Sequence, residues 1–187
     1  MNPRLRRLQA EYQEIRSRFD GDNQIDVIVS NPPYCTKYQV IYRLPSTRIT
    51  NGAVFIRDQT VVEFELTAEY PRVQPIVRTF DPVFHPNFGA VTGNSAKVCI
   101  ADYWSPAQTL AGIIIEVGEM LLWSKFNIRS PLNAVAAEYG QAHLNEFPLG
   151  ELECISQGFS ISVSNKNVEG LDQSNRESES PSNSNDV

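Results

Sequence analysis

Leu5, Leu8, Tyr12, Ile15 and Phe19 recur at spacings of 3, 4, 3 and 4. That period gathers five apolar side chains on one face of a helix, and such a face must be buried against another layer. Asn2 before Pro3 supplies an N-cap and a first helical residue, and the stretch DGDN at 20–23 ends the element. The pattern then changes. Runs at 25–30, 38–44 and 60–70 are rich in β-branched and aromatic residues, and a fourth run at 75–80 follows the turn-rich YPRVQP. NPPYCT and PSTRITNG read as breaks, with 53–56 as a short added strand. A helix followed by a four-stranded antiparallel meander defines an α+β class.

Residues 84–103 follow neither period and carry Gly89, Gly93, Asn87 and Asn94 as turn formers. A loop this long inside a compact domain is usually functional, and its aromatic content argues against disorder. Ser105 and Pro106 read as the start of an apolar helix running to Trp123. Ser130 with Pro131 reads as the start of another, running to Asn145. From Ser164 onward the chain is rich in serine and asparagine and has no aromatic residue, the composition of a disordered tail. The expected organisation is one folded domain over 1–160 and a disordered tail over 161–187.

The formal net charge of −6 argues against a protein whose main task is gripping phosphate backbones, so no nucleic-acid partner is expected. No stretch approaches the ~18 apolar residues of a membrane span, so no membrane partner is expected either. The amino-terminal stretch is charged throughout and lacks the apolar centre of a secretion signal, which makes the cytoplasm the default location. Cys35, Cys99 and Cys154 are odd in number and far apart, which does not make a disulfide framework.

Three chemistries compete for the 84–110 region. A structural zinc site needs close-spaced Cys and His pairs, and none is present, so no metal or other cofactor is expected. A serine-hydrolase elbow is absent. His143 falls on the expected last helix as an ordinary histidine. Cys99 remains, as either a small core residue in KVCIA or a reactive thiol. Its setting, after a long unperiodic loop and before a tryptophan and a helix start, favours function. The residues alone leave both readings open.

FHPN at 84–87, KVCIADYWSPAQTL at 97–110 and IRSPLNAVAAEY at 128–139 together resemble the active-site region of ubiquitin-conjugating enzymes. The upstream EFELTAEYPRVQPIVRTFDPVFHPN resembles that family's third strand and Tyr-Pro turn, and the likeness covers about residues 3–147. It implies an N-terminal helix, a four-stranded antiparallel meander, an active-site loop and C-terminal helices. It also implies that Cys99 takes ubiquitin or a ubiquitin-like protein from an activating enzyme as a thioester, then passes it to a substrate amine or a ligase.

By the same resemblance, Asn87 stabilises the oxyanion of aminolysis or braces the loop around Cys99. Ser130 stands at the family's gate position beside the cysteine, and His85 shapes the loop. Tyr103 and Asp102 are secondary candidates for lining the site. Partner contacts fall at Arg4, Arg6 and Arg7 on the basic first helix and at Arg72, Pro106 and Ala107 on two turns. The chain departs from the family in the spacings on either side of Cys99, in Ala101 where an acidic residue is usual, and in Arg72 where an apolar one is usual. These departures mark a divergent member, of the kind a bacterial ubiquitin-like conjugation system would hold. The alternative implied by the same fold is an inactive variant that only binds ubiquitin-like proteins.

Overall fold

A computed structural model describes residues 2–100 and 103–153. The first helix, α1 (Pro3–Phe19), begins at Asn2, whose side chain accepts from the Arg4 amide at 2.9 Å. It buries Leu8, Ile15 and Phe19, whereas Leu5 at the helix start is 36% exposed. Glu11 is buried beside them at 1% exposure. A lone buried carboxylate is costly, so its partners decide how α1 is held.

Five strands form one antiparallel sheet in the order β1 (Ile25–Val29), β2 (Lys37–Tyr42), β5 (Thr60–Glu65), β6 (Ile76–Thr79), β7 (Ala96–Lys97). The meander expected from sequence is its first four strands, and the two-residue β7 extends its edge. Alternation places Tyr38, Val40 and Tyr42 of β2 inward, opposite Phe64, Val62 and Thr60 of β5. The apolar helix α2 (Leu110–Leu121) belongs to the same core, with most of its residues buried. Tyr42 donates its hydroxyl proton to the Ile114 carbonyl at 2.8 Å, so one aromatic ties the sheet to the helix.

One expectation fails between β2 and β5. PSTRITNG is no break: β3 (Ser46–Thr50) and β4 (Ala53–Arg57) form a separate hairpin. Asn51 and Gly52 make its two-residue turn with φ of 52° and 79°, the left-handed geometry that Asn-Gly adopts readily. That dipeptide was the available signal.

Both later helices start beyond their expected caps. Ser105 and Pro106 lie in a turn, and Thr109 caps α2 by accepting from the Gly112 amide at 3.2 Å. Ser130 does not cap a helix. The Leu132 and Asn133 amides both bond the Pro86 carbonyl, which leaves Asn133 to cap α3 (Ala134–Ala142) by accepting from Ala136 at 3.0 Å. A short 3-10 turn, Leu144–Glu146, follows.

Candidate active site

The FHPN segment is held from three directions. Phe84 donates its amide to the Thr47 carbonyl at 2.9 Å and meets Tyr139 edge-on, with ring centres 5.5 Å apart. His85 is fully buried between Phe88 and Trp123, at centroid distances of 5.5 and 4.7 Å. Its Nδ1 accepts from the Asn87 amide at 3.1 Å. Burial pushes the imidazole down to about 3, against a smaller opposing effect of the Lys125 backbone. A ring that stays neutral and sealed shapes the loop and does not shuttle protons at neutral pH.

Asn87 connects this segment to the cysteine. Its Nδ2 donates to the Cys99 carbonyl at 2.9 Å, and its Oδ1 accepts from the Asn127 amide at 2.9 Å. The backbone repeats the link, since the Cys99 amide donates to the Asn87 carbonyl at 2.8 Å. One N–H of the side-chain amide remains beyond the bond to Cys99. The asparagine is 6% exposed and braces the loops that flank the thiol.

Cys99 follows β7 and is partly exposed, whereas Cys35 is buried and burial raises its thiol pKa. Cys154 and Asp102 lie outside the described residues. Two grooves meet at Cys99. One, of about 460 Å³, is lined by Asn87, Tyr103, Lys125 and Arg129 among others; the second, of about 550 Å³, by Arg78, Gly89, Lys97 and Leu132. Tyr103 is 90% exposed, an apolar ring standing at the rim. Ser130 is exposed and lies just past Arg129, with its amide donating to Asn127 Oδ1 at 3.2 Å. Arg129, which sequence reasoning passed over, lines the groove at the cysteine. No group of acidic, His or Cys side chains among the described residues is arranged to hold a metal ion.

The partner residues expected from sequence gather at one end of the molecule. Trp104 donates its indole N–H to the Pro71 carbonyl at 2.7 Å, which joins the turn bearing Arg72 to the one bearing Pro106 and Ala107. Arg72, Pro106 and Ala107 are exposed, and Arg72 pairs with Glu69 at 2.5 Å. Arg4 reaches the Thr67 carbonyl at 3.1 Å. Arg7 differs from its expected free position. It pairs with Glu11 at 2.5 Å, bonds the Pro106 carbonyl at 2.8 Å and the Gln108 carbonyl, and stacks over Tyr70. Glu11 in turn accepts from the Tyr70 hydroxyl and, at 2.7 Å, from the Leu110 amide. The arginine is a staple between α1, the turn before α2 and the Tyr70 turn, with Glu11 carrying the link on to α2, and Arg6 is left exposed on the helix.

Fold and site together define an α+β protein that presents the partly exposed Cys99 thiol on a braced loop, with a separate face formed by α1 and two turns. Residues 7–148 match the family model for ubiquitin-conjugating enzymes, and the chain belongs to that family. Among similar proteins, Protein PEROXIN-4 of Arabidopsis thaliana is 30% identical over 107 residues, covering 57% of this chain and 64% of the relative. Ubiquitin-conjugating enzyme E2 K of Homo sapiens is 26% identical over 121 residues, covering 64% of this chain and 58% of the relative. The chain thus spans about three-fifths of the length of these curated relatives. A solved structure of a candidate ubiquitin conjugating enzyme from Plasmodium yoelii superposes with a TM-score of 0.53 at 18% identity, over 81% of this chain and 99% of that one. That likeness shows the fold.

Proposed function

We propose that Cys99 carries ubiquitin or a ubiquitin-like protein as a thioester, received from an activating enzyme. The observation that carries this reading is the position of Cys99: partly exposed, at the junction of two grooves, with its carbonyl fixed by Asn87. The Cys99 thiolate attacks the thioester carbonyl on the activating enzyme. A new carbon–sulfur bond forms, the old one breaks, and the activating enzyme's thiolate leaves. A later acceptor, an amine of a protein substrate or the cysteine of a ligase, takes the acyl group in the same way.

Asn87 serves as a positioning residue, with its remaining N–H available to an oxyanion formed beside Cys99. Arg6, with Arg4 on the same helix, meets the activating enzyme, and Arg72, Pro106 and Ala107 meet a ligase on the adjoining face. Free thiols at Cys35 and Cys99 suit a reducing cytoplasm. Residues 1–160 act as the catalytic domain. Charging tests the reading: with an activating enzyme, ATP and a panel of modifiers, the protein forms a reductant-sensitive adduct, and Cys99→Ser converts it to a reductant-resistant ester or abolishes it. A protein that charges with none of the panel contradicts the proposal.

A further inference from the structure

Among the described residues, one edge of the five-stranded sheet stands open. At the far edge β7 is covered: the Gly89 amide donates to the Lys97 carbonyl at 2.9 Å, and Phe88 pairs with Val98. β1 has β2 on one side only. The Arg43 amide bonds the Gln24 carbonyl at 2.7 Å, which fixes the alternation of that ladder. Asp26 and Ile28 therefore bond β2, and the backbone N–H and C=O groups of Val27 and Val29 point away from it. No described residue bonds those groups. An edge of this kind is a template for another strand, and proteins commonly blunt it with charge or proline. β1 has no proline, its one charge, Asp26, is paired with Arg43 at 3.0 Å, and Ile28 is 49% exposed.

The corner beneath this edge is apolar. Ile25, Val27 and Val29 face the core by alternation, yet Val27 and Val29 are only partly buried. α1 contacts β1, and it turns Arg7, Glu11 and Glu14 toward the start of α2 through bonds to Gln108, Leu110 and Thr109. Helical geometry puts Leu5 and Tyr12 on the opposite flank, and neither is fully buried.

The chain itself carries a strand of matching pattern. The described residues end at Glu153, whose amide donates to Gln24 Oε1 at 2.8 Å, while Gln24 Nε2 donates to the Glu151 carbonyl at 3.0 Å. Gln24 immediately precedes β1, so the chain leaves the described domain at the open edge. Beyond it, Phe159, Ile161 and Val163 alternate with Ser160, Ser162 and Ser164, which is the period of a half-buried strand. No charge or proline falls between Glu153 and Lys166. Residues 154–158 form the link to Phe159, and an extended link of that length reaches up to ~20 Å. β1, with 5 residues, is about 17 Å long, so its whole edge lies within reach.

We infer that residues 159–163 add to β1 as a sixth strand of the sheet, with Phe159, Ile161 and Val163 packed into the corner between β1 and α1. Ser160 and Ser162 face the opposite side. The inference does not depend on the thioester reading. It covers the open edge, and it moves the start of the expected tail from 161 to 164. The rest of the tail then leaves from the edge opposite β7 and Cys99.

Amide hydrogen exchange of the full chain, followed residue by residue by NMR, tests this. In the wild-type protein the Val27 and Val29 amides are expected to be protected. Ile161→Pro, which breaks the added strand, should speed their exchange about tenfold or more. Phe159→Ser with Ile161→Ser, which keeps every backbone donor, should loosen the same two amides. Val40 and Val62, paired between β2 and β5, should stay protected in both variants and report an intact fold. Leu171→Pro, beyond the strand, should change none of these amides. Sedimentation at two concentrations assigns the strand to its chain. A monomer with protected Val27 and Val29 supports the inference, whereas protection found only in a dimer gives the edge to a second copy and overturns it. Val27 and Val29 amides that exchange freely in the wild type, or that stay protected in Ile161→Pro, also overturn it.

Discussion

Asn87 donates from Nδ2 to the carbonyl of Cys99 at 2.9 Å, while its own Oδ1 accepts from the backbone of Asn127 at the same distance. One side chain thus holds the cysteine loop and the loop before α3 at a fixed separation. Replacing Asn87 with alanine leaves both loop groups short of a partner. Losing buried hydrogen bonds of this kind costs about 1–3 kcal/mol, so the Asn87→Ala protein should unfold at lower urea concentration than wild type. It should still charge but discharge more slowly. A variant of unchanged stability would contradict the bracing role.

Arg6 and Arg7 are neighbours in sequence with opposite surroundings, the first exposed and the second bonded across the fold. Arg7→Glu sets a second carboxylate against buried Glu11 and removes the staple across α1, the turn before α2 and the Tyr70 turn. Breaking a buried pair costs about 3–5 kcal/mol, so this variant should be strongly destabilised. Arg6→Glu, on the exposed face, should change stability by no more than about 0.5 kcal/mol yet slow charging at low salt, with a smaller effect as salt rises. Thermal melts and charging rates separate the two. Equal effects on both readouts would contradict the assignment.

His85 gives the fold a pH dependence. Its folded-state value is pushed down to about 3 by burial, against an ordinary value of 6.5. The unfolded chain therefore binds the proton first as pH falls, and protonation favours unfolding. The stabilisation is complete above about pH 6.5 and is lost progressively toward pH 3, at up to about 1.4 kcal/mol per pH unit. Urea midpoints measured from pH 7 to pH 4 should fall with that slope added to the carboxylate background. His85→Asn, which keeps an acceptor for the Asn87 amide, should flatten the profile. An identical slope in the variant would show that the ring does not titrate in this range.

Gly140 faces the indole of Trp123 closely enough that an added Cβ would lie 2.4 Å from Cζ3. The ring cannot easily retreat, since it stacks on Phe147 at 4.4 Å and donates to Thr47 Oγ1 at 2.8 Å. Alanine favours a helix over glycine by up to about 1 kcal/mol, but overpacking of this kind costs about 1–3 kcal/mol. Gly140→Ala should lower the melting temperature by several degrees and dim or shift Trp123 fluorescence. A stabilised variant would mean that α3 can move away.

The cysteine loop was legible because its residues stand together in the chain: FHPN, Cys99 and Trp104 announce a site through type and order. The α+β class followed from a change of period after Phe19. Arg7 was not legible. Its partners Pro106 and Gln108 lie 99 and 101 residues away, and no local pattern distinguishes a stapling arginine from a solvated one. Glu11 hid for the same reason, as a carboxylate within an apolar stripe. β4 was legible as the short strand at 53–56, whereas β3 was not: Asn51-Gly52 signalled a hairpin, but the proline, serine and threonines before it looked like a loop. Ser130 and Ser105 offered good caps locally, and bonds from Leu132 and Asn133 to Pro86, and from Leu110 to Glu11, moved both helix starts downstream.

The most direct test of the central claim locates the acyl bond. The protein is charged with an activating enzyme, ATP and its modifier, digested under non-reducing acidic conditions and mapped by mass spectrometry. The account predicts a modifier remnant on Cys99, removed by reductant, with Cys35 and Cys154 unmodified and no thioester formed by the Cys99→Ala protein. A reductant-sensitive remnant on Cys35 or Cys154, or full charging of Cys99→Ala, would contradict it.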